Sequence, residues 1–362
     1  MIRHEPLRPP SDFYPADEWN VIEKGFHPQF LAQLETILAL GNGYLGMRGC
    51  PEEGEPHVEN STLINGFYES WPIIYGEDAY GFAKTGQTIC TATDSKIIKL
   101  FVDDEPFRLS DANLLTCERR LNMRSGTLDR EIVWETLAGK KVSLKSRRLV
   151  SFVHKHVAAI SYCITLLNAE APVVISSEMV ANEASTDTNP DDPRLARTPA
   201  GRVLHHERSY TKDCRIVLCH STKKSRLRLA CATDHVLETA CSHTTRVNHT
   251  DDFGQAAFTI EAKTGIPIRL TKYIVYHTSR KASAQELCGQ AEWTMDRVVA
   301  QGFEQLLLLR RGIWTTSGAA ATYGSRTLGK IVPSAPPWRF SKRSVLIFSK
   351  FYKRQRARKT PE

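Results

Sequence analysis

No stretch of the sequence is apolar over the roughly 18 residues that a helix needs to cross a bilayer. The opening residues Met1-Ile2-Arg3-His4-Glu5-Pro6 place charge and a proline where a secretory segment would need an apolar run, so a cytosolic protein with no membrane partner is expected. Cysteine is present nine times but never as a close CxxC pair. An odd number of thiols spread from Cys50 to Cys288 argues for isolated core thiols over a disulfide framework or a zinc site. His205-His206, His235, His243 and His249 lack the HExxH spacing of a metal centre and read as sheet-surface residues, so no metal is expected. Cys214, Cys219 and Cys231 fall in or beside strand patterns with no base to activate them.

Acidic residues are almost missing from the carboxyl-terminal end. The chain carries a net charge of +8, but Leu308 to Glu362 alone contribute +12, from 13 Lys/Arg against the single Glu362. Residues 1 to 307 are therefore mildly acidic, and nucleic acid is not expected as a partner of the main body. The tail has neither strand nor helix periodicity. A basic tail for an anionic surface and protein read out of frame are the two readings of such text. Trp314-Thr315-Thr316-Ser317-Gly318 can be encoded by TGG ACG ACT TCT GGC, whose bases in another frame give Asp-Asp-Phe-Trp. A frame break near Leu306 to Arg311 is the expectation, leaving 310–362 as an irregular basic tail without evolved function.

The remainder is rich in strand signals. Short or alternating apolar runs recur at 97–102, 130–137, 141–152, 158–167, 172–179, 215–221, 226–235, 257–262 and 268–278. Their period of two and β-branched content predict strands, with hairpin turns at Asp103-Asp104-Glu105-Pro106 and Ala138-Gly139-Lys140-Lys141. So many strands with almost no helix between them predict an all-β fold, a large antiparallel β-sandwich over 1–280. Gln29 to Leu40 could be a short helix or a strand leading into the Gly41-Asn42-Gly43 turn, and the proline- and aspartate-rich stretch Thr186 to Pro199 reads as a surface loop. Helical periodicity returns from Ala284 to Leu309, so 281–309 is read as the start of a helical linker.

The most specific text runs from Glu35 to Leu109. In Asn42, Gly43, Tyr44, Gly46, Arg48 and Gly49 the glycines suit tight turns and close backbone approach, while Tyr44, Leu45 and Met47 can anchor the turn in the core. The spacing is not read as GxGxxG and no βαβ unit follows, so a dinucleotide loop is not expected. Glu52, Glu53 and Glu55 on the next turn read as solvent-facing or paired with arginine, with Arg48 as the nearest partner. Tyr68, Glu69, Trp71 and Tyr75 form an aromatic and acidic segment of the kind that lines a sugar cleft, although packing is the commoner use of such residues.

This region resembles glycoside hydrolase family 65, the maltose, trehalose and kojibiose phosphorylases. The match lies in Asn42 to Gly49 with Glu52-Glu53-Gly54, in Gly66-Phe67-Tyr68-Glu69, in Asp103 to Phe107, and in Leu121 to Arg130 followed by Arg148-Leu149-Val150-Ser151. The resemblance spans about residues 17 to 305 and implies a sandwich joined by a helical linker to an (α/α)6 barrel that this chain lacks. The hidden Asp-Asp-Phe-Trp is similar to the family's linker. The implied activity of the intact parent is inverting phosphorolysis of an α-glucosyl disaccharide, with inorganic phosphate as co-substrate, no cofactor, and a catalytic glutamate in the barrel. No position here matches that glutamate, so no catalytic residue is assigned and a truncated, inactive chain is expected.

The resemblance allows the sandwich loop at Tyr68, Glu69, Trp71 and Tyr75 to reach the rim of the barrel's cleft, and it allows a homodimer. A family hydrolase, a carbohydrate-binding or assembly module, and a basic-tail binder of nucleic acid are the competing readings. Without a barrel to cover them, Trp293, Val298 and Val299 are expected to expose apolar surface.

Overall fold

The computed structural model describes residues 10–310 apart from 74, 76, 78 and 183–201. Met1 to Pro6, the loop at Thr186–Pro199 and the tail from Arg311 onward lie outside the described residues.

Eighteen strands and two helices account for most of the described chain. They run β1 (Asn20–Lys24), α1 (Leu31–Ile37), β2 (Leu40–Gly41), β3 (Leu45–Met47), β4 (Thr62–Pro72), β5 (Thr85–Thr91), β6 (Ile98–Val102), β7 (Glu105–Pro106) and β8 (Asn113–Asn122). There follow β9 (Thr127–Glu135), β10 (Lys141–Val150), β11 (Val157–Leu166), β12 (Ala171–Val180), β13 (Leu204–Lys212) and β14 (Arg215–Thr222). The last are β15 (Arg228–Glu238), β16 (His243–His249), β17 (Phe253–Ala262), β18 (Ile268–Ser279) and α2 (Ala284–Gln301).

The antiparallel sandwich expected from the alternation is present, with one sheet more than two faces require. A nine-stranded sheet has the order β1-β8-β9-β10-β11-β18-β15-β14-β13, a five-stranded sheet β16-β17-β12-β6-β7, and a four-stranded sheet β2-β3-β4-β5. Inward residues of β9, β10, β11 and β18 meet those of β6, β12 and β17 in one core that holds Ile132, Trp134, Leu144, Ile160, Val173, Ile175 and Phe258. Each such side chain removed from water contributes about 1.5–3 kcal/mol, so the facing sheets are the main source of stability. Leu45, Met47, Ile64 and Phe67 of the small sheet join the same core.

The stretch Gln29 to Leu40 resolves into a single 3-10 turn at Pro28–Phe30, then α1 and β2. Helix α2 begins with a capping box in which Ser283 and Glu286 exchange side-chain and backbone bonds. Its buried positions Leu287, Cys288, Ala291, Met295 and Val298 recur at helical spacing and lie on the outer face of the nine-stranded sheet with Leu149, Ala159, Val217 and Val275. The expected continuous helix to Leu309 is divided instead. Gly302, at φ +77°, ends α2, and residues 303–310 resume as helix. The expected apolar exposure is also corrected. Val298 is buried by the chain's own sheet, Val299 is half-buried, and Trp293 is exposed under Arg297, whose guanidinium lies 4.7 Å from the centre of its ring.

Candidate functional site

The Asn42–Gly49 turn joins β2 to β3. Its Asn42 Oδ1 accepts the Tyr44 and Leu45 N–H groups at 2.9 and 2.8 Å, closing the turn, and Gly43 sits at φ +90°. Gly41, Gly43 and Gly46 do fall at the spacing of a dinucleotide fingerprint, but they connect antiparallel strands, with no helix behind them to receive a phosphate. Gly46 is buried in β3. Gly49 is needed for close approach, since a Cβ there would stand 2.6 Å from Leu38 Cβ.

Arg48 does not pair with the following acidic turn. It binds Glu35 at 3.2 Å and Glu59 at 3.3 Å. Glu35, fully buried, also accepts the backbone N–H groups of Val58 and Glu59 at 2.7 and 3.0 Å. Glu35 therefore pins the chain after the acidic turn to α1, a role that sequence reading missed.

Glu52 and Glu53 are buried beneath the nine-stranded sheet, and Glu55 alone of the three is exposed. Arg130 of β9 grips Glu53 with two bonds of 2.6 and 2.7 Å and reaches Glu52 at 3.0 Å. Arg148 of β10 binds Glu52 at 2.6 Å and donates to the carbonyls of Arg48 and Cys50 at 3.1 and 2.9 Å. Ser146 and Tyr162 donate to the same pair of carboxylates at 3.2 and 3.3 Å. Burial by itself would raise the Glu52 carboxyl, but the Arg148 and Arg130 guanidiniums outweigh it and hold the group down at about 2. Both carboxylates are arginine-paired structural links between a glycine turn and two strands. Neither is arranged as a proton donor.

The aromatic and acidic segment divides along the β4–β5 hairpin. Glu69 is buried, and its oxygens accept the N–H groups of Ser70, Lys224 and Ser225 at 2.7, 3.0 and 2.8 Å. Burial would raise this carboxyl, while the amides of Lys224, Ser70 and Ser225 together pull it below its ordinary value. The side chain ties β4 to the β14–β15 turn. The Tyr68 hydroxyl accepts from Arg280 at 2.7 Å, and Trp71 donates to Thr88 at 3.0 Å while lying over Gly86. Tyr75 packs against Phe82 with ring centres 4.7 Å apart and planes tilted by 46°. Here the sequence reading missed Tyr80 and Phe82, two exposed rings beside an open cavity of about 380 Å³ lined by Ala79, Tyr80, Gly81, Phe82 and Lys84. Aromatic residues flanking Gly81, in Tyr80-Gly81-Phe82, were the available signal.

Among the described residues no three His, Cys, Asp or Glu side chains come together as a metal site. His235 is not on a sheet surface as expected. It is buried with Nε2 2.7 Å from Ser177 Oγ, and burial pushes its imidazole down to about 3. Cys219 and Cys231 are buried and Cys214 is half-buried, all as free thiols.

With this geometry in hand the comparisons are decisive for the family. The model for the N-terminal domain of glycosyl hydrolase family 65 matches residues 21–316. The chain belongs to glycosyl hydrolase family 65 and corresponds to its N-terminal sandwich domain. An uncharacterized glycosyl hydrolase of Mycobacterium tuberculosis is 34% identical over 304 residues, covering 83% of this chain and 38% of that protein. The alpha,alpha-trehalose phosphorylase of Thermoanaerobacter brockii is 35% identical over 297 residues, 81% of this chain and 38% of its own length. A solved structure assigned as a kojibiose phosphorylase from the human microbiome superposes with a TM-score of 0.73 at 16% identity, over 84% of this chain and 38% of that one, which supports the fold. The chain thus spans about 38% of the length of these relatives. No (α/α)6 barrel occurs among the described residues, whose helices are few and short. No described helix is long and apolar enough to cross a membrane.

Proposed function

We propose that this chain is the supporting sandwich of an inverting disaccharide phosphorylase and performs no catalysis alone. The observation that carries the reading is the state of the motif carboxylates. Glu35, Glu52, Glu53 and Glu69 are all buried, with oxygens engaged by arginine, hydroxyl or backbone N–H donors. A glycosidic oxygen has to be protonated by an acid that reaches it, and these acids are enclosed and already bonded. In the parent, one carboxylic acid of a further domain would protonate the leaving sugar while inorganic phosphate attacks from the opposite face. Phosphate then replaces the base-activated water of an inverting hydrolase, so a second carboxylate is not required.

Within this reading, 1–280 forms the sandwich, 281–309 begins the linker, and 310–362 is out of frame. The hairpin apex, with Tyr75 of the expected rim packed against Phe82 and Tyr80 exposed, is the part that could meet a sugar ring, with Tyr68 and Trp71 supporting it and Glu69 holding its base. A disaccharide is the substrate proposed for the parent. Free thiols support a reducing, cytosolic setting.

The test is to express the chain as it stands and, separately, the gene continued in the frame that yields Asp-Asp-Phe-Trp. Maltose, trehalose and kojibiose are supplied with phosphate, and β-glucose 1-phosphate is measured. Product from the continued protein alone, dependent on phosphate, is expected. Turnover by the 362-residue chain, or phosphate-independent hydrolysis by the continued protein, would overturn the proposal.

A further inference from the structure

The Asn42–Gly49 turn holds no group that could act on a substrate, yet its polar atoms lead in an unbroken path to α2. Asn42 Nδ2 donates to the carbonyls of Ser151 and Lys155 at 2.6 and 3.0 Å, fixing the β10–β11 hairpin. The Tyr44 hydroxyl lies 3.1 Å from Thr278 Oγ1 on β18, and the Tyr44 ring meets His156 edge-on at 4.6 Å. His156 stacks on His277 with ring centroids 3.9 Å apart and planes 16° from parallel. His277 Nε2 is 2.9 Å from Thr294 Oγ1, in the middle of α2.

The bonding fixes the tautomers. Tyr276 O can only accept, so His156 Nδ1, 2.9 Å away, carries the hydrogen. Thr294 donates its hydroxyl to Gln290 O at 2.9 Å, so it accepts from His277 Nε2–H. A second proton on either ring would place a cation on the stack beside Lys155, and protonating both would set two cations face to face. Burial, then the neighbouring His156 and Lys155, push His277 down to about 4, and burial lowers His156 as well. Tyr44 faces the stack as a neutral phenol, Thr294 of α2 is uncharged, and Ala230, opposite His277 on β15, brings no charge.

We propose that Tyr44, His156 and His277 are positioning residues that latch α2 to the motif turn, and that acid loosens this latch while the sandwich stays folded. The sign follows from linkage. The imidazoles favour the neutral form in the folded chain, so their contribution is complete above the ordinary histidine value near 6.5 and is lost as pH falls toward about 4. Each unit of difference is a factor of about ten in the opening equilibrium, which gives an upper limit on the order of a hundred-fold over that window. The apolar face of α2 resists complete detachment, so the expected event is local opening.

Hydrogen exchange followed by mass spectrometry on the full chain tests this, using protection factors corrected for intrinsic rates. Amides of 290–298 should lose protection by ten-fold or more between pH 6.5 and 4.5, while those of β11 and β12 hold theirs. His277→Phe keeps a ring in the stack without a titratable group and should abolish the pH dependence. Thr294→Val should lower protection at pH 7 yet retain the pH slope, and His156→Phe should reduce the slope. Loss of α2 protection in step with β11 and β12, or an unchanged slope in His156→Phe and His277→Phe, would overturn the proposal.

Discussion

Replacing Arg130 by methionine isolates a buried ionic link of the sandwich. Arg130 is 3% exposed and supplies both close bonds to Glu53, leaving that carboxylate, once the guanidinium is gone, with only the Tyr162 hydroxyl at 3.3 Å. Glu52 would keep Arg148 at 2.6 Å and Ser146 at 3.2 Å, so the damage concentrates on Glu53. Stripping one partner from a buried pair costs about 3–5 kcal/mol, a large fraction of the ~5–15 kcal/mol that holds a typical domain together. Arg130→Met should therefore lower the urea midpoint at pH 7 sharply, read by far-UV circular dichroism. Glu53→Gln added to it should recover a good part of the loss, because the stranded charge is removed. A loss below about 1 kcal/mol, or a double variant no better than Arg130→Met alone, would refute the account of Glu53 as a charge held only by its arginine.

Gly49→Ala should cost about 3 kcal/mol in the same titration, since the new Cβ meets Leu38 Cβ at 2.6 Å and its backbone carbon at 2.9 Å in a filled core; a near-neutral effect would show that the turn can shift. Glu69→Gln should cost about 1–3 kcal/mol by turning an amide group toward some of the backbone N–H donors of Ser70, Lys224 and Ser225, with faster exchange at those amides as the local signature. Lys272, buried with Nζ 3.0 and 2.9 Å from the carbonyls of Ile97 and Glu178, has its amine pushed down by burial to about 7. Its charged form is disfavoured in the folded chain, so the penalty is complete below pH 7 and fades as pH rises toward the ordinary lysine value of about 10.4. Stability should climb over that window in the native chain and climb less in Lys272→Met; identical slopes would contradict it.

The strands that were legible are those with one face in the core. β9, β10 and β17 alternate buried and open positions along most of their length, and their sequences alternate accordingly. β16 is the edge of the five-stranded sheet and is exposed along nearly its whole length, so His243–His249 has no apolar period to read. β1 and β13 are likewise edge strands, recognised only through their partners. The buried ionic links were harder because their members are far apart in sequence, with Arg148 to Glu52 separated by 96 positions. A trace existed nonetheless. Arg130 occupies the inward register of Leu128, Ile132 and Trp134, and Arg148 that of Leu144 and Val150, so each places a charge on an otherwise apolar face. A charge in that register requires a buried partner.

That pattern also explains why a motif rich in glycine and glutamate belongs to a domain without catalytic groups. The chain after β3, from Gly49 through Glu53, runs buried beneath the nine-stranded sheet, where its backbone carbonyls and carboxylates are cut off from water. Arg148 satisfies the carbonyls of Arg48 and Cys50, Arg119 that of Gly49, and Arg130 the two glutamates. Glycine lets the chain pass close to Leu38, and the glutamates offset the arginines that the carbonyls require. Each residue type in the motif answers a need created by its neighbours, so the composition of the motif follows from buried polar satisfaction and needs no substrate.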